Sequence, residues 1–306
     1  MENVFITDVS PRDGFQNEKG DITTAQKVET VDLLTRAGVP AIEVTSFVHP
    51  KAVPQMADAT EVMKAINRSK NTNYEVLVPN LKGADRAVES RPDQLNLVVS
   101  ASESHNKANL RTGTFETMKQ FPDIFKLADM HGIAIKGGLA TSFGCPFEGE
   151  VAIERVLNVI STYIDMGTKK INLADTTGMA NPQQVKTIIH EVKKRWNGIE
   201  LHCHFHNTRG AGLANVYAAF EEGVRHFDAS LGGIGGCPFA PGATGNISTE
   251  DTLNMLHDMG IETGIDLDVL LSFGEKLEAI LGHGVQSQVY QAGKTHQLHP
   301  LPEGIK

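Results

Sequence analysis

The sequence predicts an α/β protein, a closed parallel (β/α)8 barrel of the TIM type with one or more additional C-terminal helices. Eight short runs rich in β-branched and aliphatic residues alternate with longer segments of helical spacing, which calls for a parallel sheet with crossover helices. Two further observations favour closure over an open doubly wound sheet. The turn after the first run, Ser10-Pro11-Arg12-Asp13-Gly14-Phe15, lacks the glycine-rich phosphate turn that opens a dinucleotide-binding sheet. Polar residues also gather at the C-terminal ends of the runs, where a barrel builds its site. The 306 residues are read as one catalytic domain, with the barrel over roughly 4–262 and an extension over 263–306.

In chain order, the first strand is expected at 4–9, and neither a basic segment nor an apolar core precedes it as a signal peptide would require. A helix at 25–37 follows, with Val28, Val31, Leu33 and Leu34 on one side and Gly38 at its end. Strands at 41–47, 74–79 and 94–100 come next, then a helix at 115–131 with Pro122 as a kink point. A strand at 134–141 leads to a helix at 151–166, ended by Gly167, and a strand at 170–174 leads to a helix at 182–196. There Asn181-Pro182 has the form of an N-cap followed by proline at the first helical position. Strand 200–206, helix 212–222 (ended by Gly223) and strand 226–231 complete the eight units. A helix at 266–281 closes part of the barrel, and a poorly fixed polar tail follows.

Composition excludes several function classes. Hydrophobic content of 40% and charged content of 21% are those of a soluble globular protein. A net charge of −9 argues against a nucleic-acid or anionic-membrane partner, and no apolar run reaches membrane-spanning length. Cys145, Cys203 and Cys237 form no C-x-x-C pair and no even disulfide framework, which points to a reducing, cytoplasmic home.

The most informative stretch is His202-Cys203-His204-Phe205-His206-Asn207. On a strand the three histidines share one face, with Cys203 and Phe205 on the other. His202, deeper in the strand, reads as a core histidine. His204 and His206 at the strand end, with Asp13 after strand one and Asn246 after strand eight, form a candidate ligand set for a divalent metal. One carboxylate, two imidazoles and an amide oxygen, with positions left open, suit Mg²⁺ or Mn²⁺ better than structural Zn²⁺. Taken alone, Asp13 reads as a turn residue or helix cap, and Asn246 as a loop residue tolerant of left-handed backbone. Arg12 is placed to stabilise a developing oxyanion, against the alternative of a solvated surface arginine. The same rim gathers Gln16, Glu43, Thr45, Ser46 and Asp175. Cys237, in the glycine-dense loop 232–245, reads as a proton donor, a nucleophile or an inert small residue; Cys145 competes for the role.

These motifs together resemble a known family. Ser10-Pro11-Arg12-Asp13-Gly14-Phe15-Gln16-Asn17-Glu18-Lys19 is similar to the P-R-D-G-x-Q-N-E-K opening of 3-hydroxy-3-methylglutaryl-CoA (HMG-CoA) lyases. Thr45-Ser46-Phe47-Val48, Ala174-Asp175-Thr176 and Gly235-Gly236-Cys237-Pro238-Phe239-Ala240, continuing through Asn246 to Thr249-Glu250-Asp251, resemble later blocks of the same family. The resemblance runs over roughly residues 4–290. It implies a metal on Asp13, His204, His206 and Asn246, Arg12 at the thioester carbonyl, Cys237 as a mobile acid or base, and Glu43, Asp175 and Glu250 as supporting acids. It implies retro-Claisen cleavage of a CoA thioester, releasing acetyl-CoA and acetoacetate, by a homo-oligomer, in look-alike enzymes a dimer. Related lyases acting on citramalyl- or isohexenylglutaryl-type thioesters are the alternative, and a catalytically silent metal-binding scaffold is a third reading. The chain departs from the pattern at Asp8 (Glu in the family), at Asn172 (Ser) and at Asn207-Thr208-Arg209-Gly210-Ala211 (Asp-Thr-Tyr-Gly-Gln). Gln16, Ser46, Asn172 and Arg209 are accordingly expected to contact substrate.

Overall fold

The computed structural model describes residues 3–236, 245–298 and 300–301. Cys237, in the expected catalytic loop, and the end of the polar tail, 302–306, lie outside the described residues. The strands are β1 (Phe5–Asp8), β2 (Ala41–Ser46), β3 (Asn73–Leu77), β4 (Gln94–Ser100), β5 (Ala134–Ala140), β6 (Lys170–Asp175), β7 (Glu200–Phe205) and β8 (His226–Ala229). They pair in sequence order, all parallel, and β8 closes on β1 with Phe5 opposite His226 and Asp8 opposite Ala229. The expected closed barrel is therefore the observed one.

The helices form an outer layer because their apolar stripes face the sheet. The first, α1 (Thr24–Arg36), buries Val31, Leu33 and Leu34 and is started by a reciprocal capping box between Thr23 and Gln26. Among the helices absent from the expected series, α2 (Ala59–Ala65) and α3 (Leu81–Val88) follow β2 and β3. They have seven and eight residues, too few turns to show a period. After α4 (Glu103–Leu110), the single kinked helix expected at 115–131 is instead two, α5 (Thr114–Met118) and α6 (Phe121–His131). Pro122 lies in the first turn of α6, where its missing N–H costs nothing; it begins a helix and does not bend one. The layer continues with α7 (Ile153–Asp165), α8 (Pro182–Arg195), α9 (Gly212–Glu221) and α10 (Thr249–Asp258). As expected, Asn181 caps α8, accepting the Gln184 N–H at 3.0 Å. The C-terminal helices are α11 (Leu267–Leu271), α12 (Gly274–Leu281) and α13 (Gln288–Ala292).

The sheet is buried between this layer and a barrel interior that is unusually polar. Lys136 of β5 and Glu75 of β3 are almost fully buried and meet at 2.6 Å, and Asn96 of β4 donates to Glu75 and to Glu43 of β2. Buried charges persist only when paired and hydrogen-bonded in this way. The interior is thus a ladder of ionic and amide contacts leading up to the barrel mouth. Among the described residues, no helix is long and apolar enough to cross a membrane.

Candidate metal centre and active site at the barrel mouth

A tight turn at Ser10–Gly14, just past β1, places two charged side chains over the mouth. Arg12 bonds through Nε to Glu43 and through an Nη to Asp13 Oδ1 at 2.5 Å. Burial works against the guanidinium charge, but Glu43 and Asp13 outweigh it and hold Arg12 protonated. The alternative of a solvated surface arginine is thereby corrected: Arg12 lines a cavity and is clamped by two carboxylates. Asp13 is almost fully buried, and although burial raises its pKa, Arg12 and then the two histidines pull it below the usual carboxylate range.

Strand β7 supplies the imidazoles. Period-2 alternation points His204 and His206 into the mouth, while Cys203 and Phe205 join the apolar layer outside. One donor atom each from Asp13, His204 and His206 lies within 4.8 Å of the others. The two Nε2 atoms face each other at 3.1 Å, and His206 Nε2 is 4.0 Å from Asp13 Oδ2. Two ring nitrogens turned toward each other beside a carboxylate make an arrangement a divalent cation would satisfy. His204 Nδ1 meets Asp228 Oδ2 of β8 at 3.1 Å, which fixes the tautomer and leaves Nε2 as the lone pair facing inward. Burial opposes protonation of His204, and the bond to Asp228 overrides it. His206 is pushed down to about 3 by burial and by His204, which outweigh the nearby Asp13 carboxylate.

Asn246 enters from the other side. Its backbone pairs with that of His206, and its Nδ2 donates to Asp13 Oδ2 at 2.7 Å and to the Ile234 carbonyl at 3.0 Å. Its Oδ1 is buried with no partner among the described residues, as is His206 Nδ1. A buried amide oxygen beside a carboxylate and two imidazoles is the donor chemistry a hard or borderline cation requires. Gly235, at φ +115, is needed here: a Cβ would lie 2.5 Å from Asn246 Nδ2 and 3.2 Å from Asp13 Oδ2.

Above this group opens a cavity of about 420 Å³, lined by Arg12, Asp13, Gln16, Glu43, Asn172, His204, His206 and Gly236 among others. That size accommodates a small organic acid with part of a longer carrier. Asn172 projects into it, with Nδ2 on Asp228 Oδ2 at 2.7 Å and Oδ1 unpartnered. Five expected residues stand apart from that lining: Asn246, described above, and four more. Asp175 is on the outward face of β6, accepts the Met179 N–H at 2.7 Å, and is raised by burial to about 6. Ser46 ends β2 with its hydroxyl buried and unpartnered. Arg209 donates to the carbonyls of Thr177 and Gly178, both at 2.9 Å, and so braces the loop after β6. Glu250 accepts the Gly232 N–H with both oxygens, at 3.0 and 2.9 Å, anchoring the start of the glycine loop. Cys145 does not compete for catalysis, being buried with Sγ 2.9 Å from Ser102 Oγ.

Sequence reasoning missed Asp228 and Lys136, both on the cavity wall. The signal was present: each is a charged residue at an inward position of an otherwise apolar strand, and Asp228 is the register partner of His204. Such a residue is charged for a reason other than solubility.

A family model described as HMGL-like matches residues 3–276. The chain belongs to the HMGL-like family. Among its HMGL-like relatives is the hydroxymethylglutaryl-CoA lyase of Bacillus subtilis, 40% identical over 96% of this chain and 98% of that one. The (R)-citramalyl-CoA lyase of Chloroflexus aurantiacus is 41% identical over 97% and 96%. A solved HMG-CoA lyase of Acinetobacter baumannii, in complex with coenzyme A and 3-methylmalate, superposes with a TM-score of 0.95 at 48% identity, covering 98% of each chain.

Proposed function

We propose that this chain is a divalent-metal-dependent carbon–carbon lyase that cleaves HMG-CoA to acetyl-CoA and acetoacetate. The observation that carries the reading is the convergence of Asp13, His204 and His206 beside Arg12 in one cavity. The HMG-CoA lyase names of full-length relatives support it. The ligands assigned to the metal are Asp13, His204, His206 and Asn246, and the oxygen-rich set favours Mg²⁺ or Mn²⁺. When bound there, the cation supplies Lewis acidity toward hydroxyl and carboxylate oxygens of the substrate.

The chain's own residues do the rest. A base at the cavity takes the tertiary hydroxyl proton; the C2–C3 bond breaks, and its electron pair becomes the enolate of acetyl-CoA. Arg12, held rigid by Glu43 and Asp13, stabilises the oxyanion of that enolate without reorganising. The proton returned to the enolate carbon is assigned to Cys237, which follows Gly236 of the cavity wall. Gln16 and Asn172 contact the acyl portion. Arg209 contributes through the loop it braces, and Ser46 through its place at the end of β2. We place the enzyme in the cytoplasm as a homodimer.

A second reading has a specific observation behind it. The Chloroflexus relative, of equal similarity, is a citramalyl-CoA lyase, and Asn172, bonded to Asp228, lines the cavity beside His204. A thioester panel separates the two: the proposal expects acetyl-CoA release to be fastest from HMG-CoA. A strong preference for citramalyl-CoA would overturn that choice of acyl group, and no release from any thioester would overturn the lyase reading.

A further inference from the structure

A second group of metal-ligating side chains lies at the opposite end of the barrel, at the N-terminal ends of β7 and β8. Glu200 and His202 share the inward face of β7, and the parallel register sets His226 of β8 beside His202. One donor atom from each of the three lies within 4.8 Å of the others. His202 Nε2 is 2.8 Å from Glu200 Oε1, and the rings of His202 and His226 stack with centroids 4.5 Å apart. Phe5, opposite His226 in the barrel closure, stacks on it at 4.9 Å and fixes its ring. His202 is only 4% exposed, and its Nδ1 has no partner among the described residues. Glu200 and His226 are half-buried, so the group is open to solvent on one side.

A hydrogen bond between Glu200 and His202 accounts for two of these side chains but not for the third. Two imidazoles packed face to face at a barrel base, one of them buried and under-bonded, are a costly way to fill space. Two imidazole nitrogens and one carboxylate oxygen, with a fourth position facing water, are the donor set of an open four-coordinate Zn²⁺ site. Ligand separations of roughly 3.3 Å follow from metal–ligand distances of about 2.0–2.1 Å, a small adjustment for half-buried side chains.

We propose that Glu200, His202 and His226 form a second metal site, selective for borderline cations of the Zn²⁺ class. It differs from the mouth in lacking the amide oxygen: two nitrogens face one oxygen here, against two nitrogens and two oxygens there, which moves its preference toward the softer cation. Its place at the base of the barrel, away from the strand ends that build the active site, makes it a structural clasp between β7 and β8. Those two strands carry His204 and Asp228 two residues further on, so the clasp steadies the strands that present them. Lys170 Nζ, 3.5 Å from Glu200 Oε1, is the cation that Zn²⁺ would displace from that carboxylate.

Equilibrium dialysis of chelator-stripped protein against Zn²⁺ at pH 8, with metal analysis, tests the proposal. The double variant Asp13→Ala/His206→Ala removes the mouth set and isolates the base. It is expected to retain one Zn²⁺ per chain and to melt at higher temperature with Zn²⁺ than without. Adding His226→Ala, or separately the conservative Glu200→Gln, is expected to abolish both effects. In the otherwise wild-type chain, His226→Ala leaves Mg²⁺-supported turnover unchanged. Absence of bound Zn²⁺ in the double variant overturns the site, as does binding that survives both His226→Ala and Glu200→Gln.

Discussion

Asp228 controls the direction in which His204 faces. It accepts from His204 Nδ1 and from Asn172, and Lys136, before the two histidines, holds it ionised against its burial. Removing it leaves the ring free to turn and the tautomer unset. For Asp228→Ala we expect metal affinity to fall about 10–100-fold, read as a shifted Mg²⁺ dependence of turnover that saturating Mg²⁺ largely restores. Arg12 is expected to behave differently, because the role proposed for it lies with the oxyanion and not with the metal. Arg12→Gln is expected to lower kcat by about 10²–10³ with little change in the Mg²⁺ dependence. Near wild-type turnover would remove Arg12 from the mechanism. At this scale Arg12, Asp13, His204, His206 and Asn246 were legible in the sequence, because unlike residues at strand ends are unusual and share one rim. Asp228 was not, because a lone acid inside a strand has no meaning until the register partner across it is known.

The element that matters most is the turn after β8, where the glycine loop begins. Glu250 holds the Gly232 N–H and the Ser248 hydroxyl, while Asp8 holds Ser10 and Thr249 close by. Burial pushes Glu250 up to about 7, with Asp8 adding to the effect, and burial likewise raises Asp8 to about 6. A raised carboxyl pKa means the native state holds its proton more tightly than the unfolded chain does. Stability from Glu250 is therefore complete below about 4.5 and is lost as pH climbs to about 7, by roughly 3 kcal/mol. Urea denaturation across that window should show the slope in the wild type and a shallower one in Glu250→Gln. Equal slopes would mean that Glu250 does not titrate as its burial dictates. A second element, α13, is tethered at its start by one side chain: Asp251 of α10 accepts from Ser287 Oγ and from the Gln288 and Val289 N–H groups. Asp251→Ala should expose the amides of 288–290 to hydrogen exchange and cost about 1–3 kcal/mol. Unchanged protection there would show that packing alone holds the helix. Neither tether was legible as a contact, since Glu250 and Asp251 could be quoted only as part of a motif. Helices α1, α7, α8 and α9 were legible from their period, whereas α10 was passed over and α2 and α3 are too short to display one.

Across the whole molecule, the barrel was legible because eight strands and their crossover helices repeat a pattern that only a few topologies accept. The polar interior was not. Glu43, Glu75, Asn96 and Lys136 come from four strands, and only barrel closure brings them into one bonded ladder. That closure also unites Asp13 near the chain start with Asn246 near its end, so the proposed metal centre exists only in the folded barrel. The most direct test is to incubate the purified chain with HMG-CoA before and after chelation and to measure acetyl-CoA and acetoacetate. The account predicts equimolar products with Mg²⁺, loss of both in chelator, and recovery when Mg²⁺ returns in excess. Full turnover by demonstrably metal-free protein, or none with Mg²⁺ or Mn²⁺ present, would contradict it.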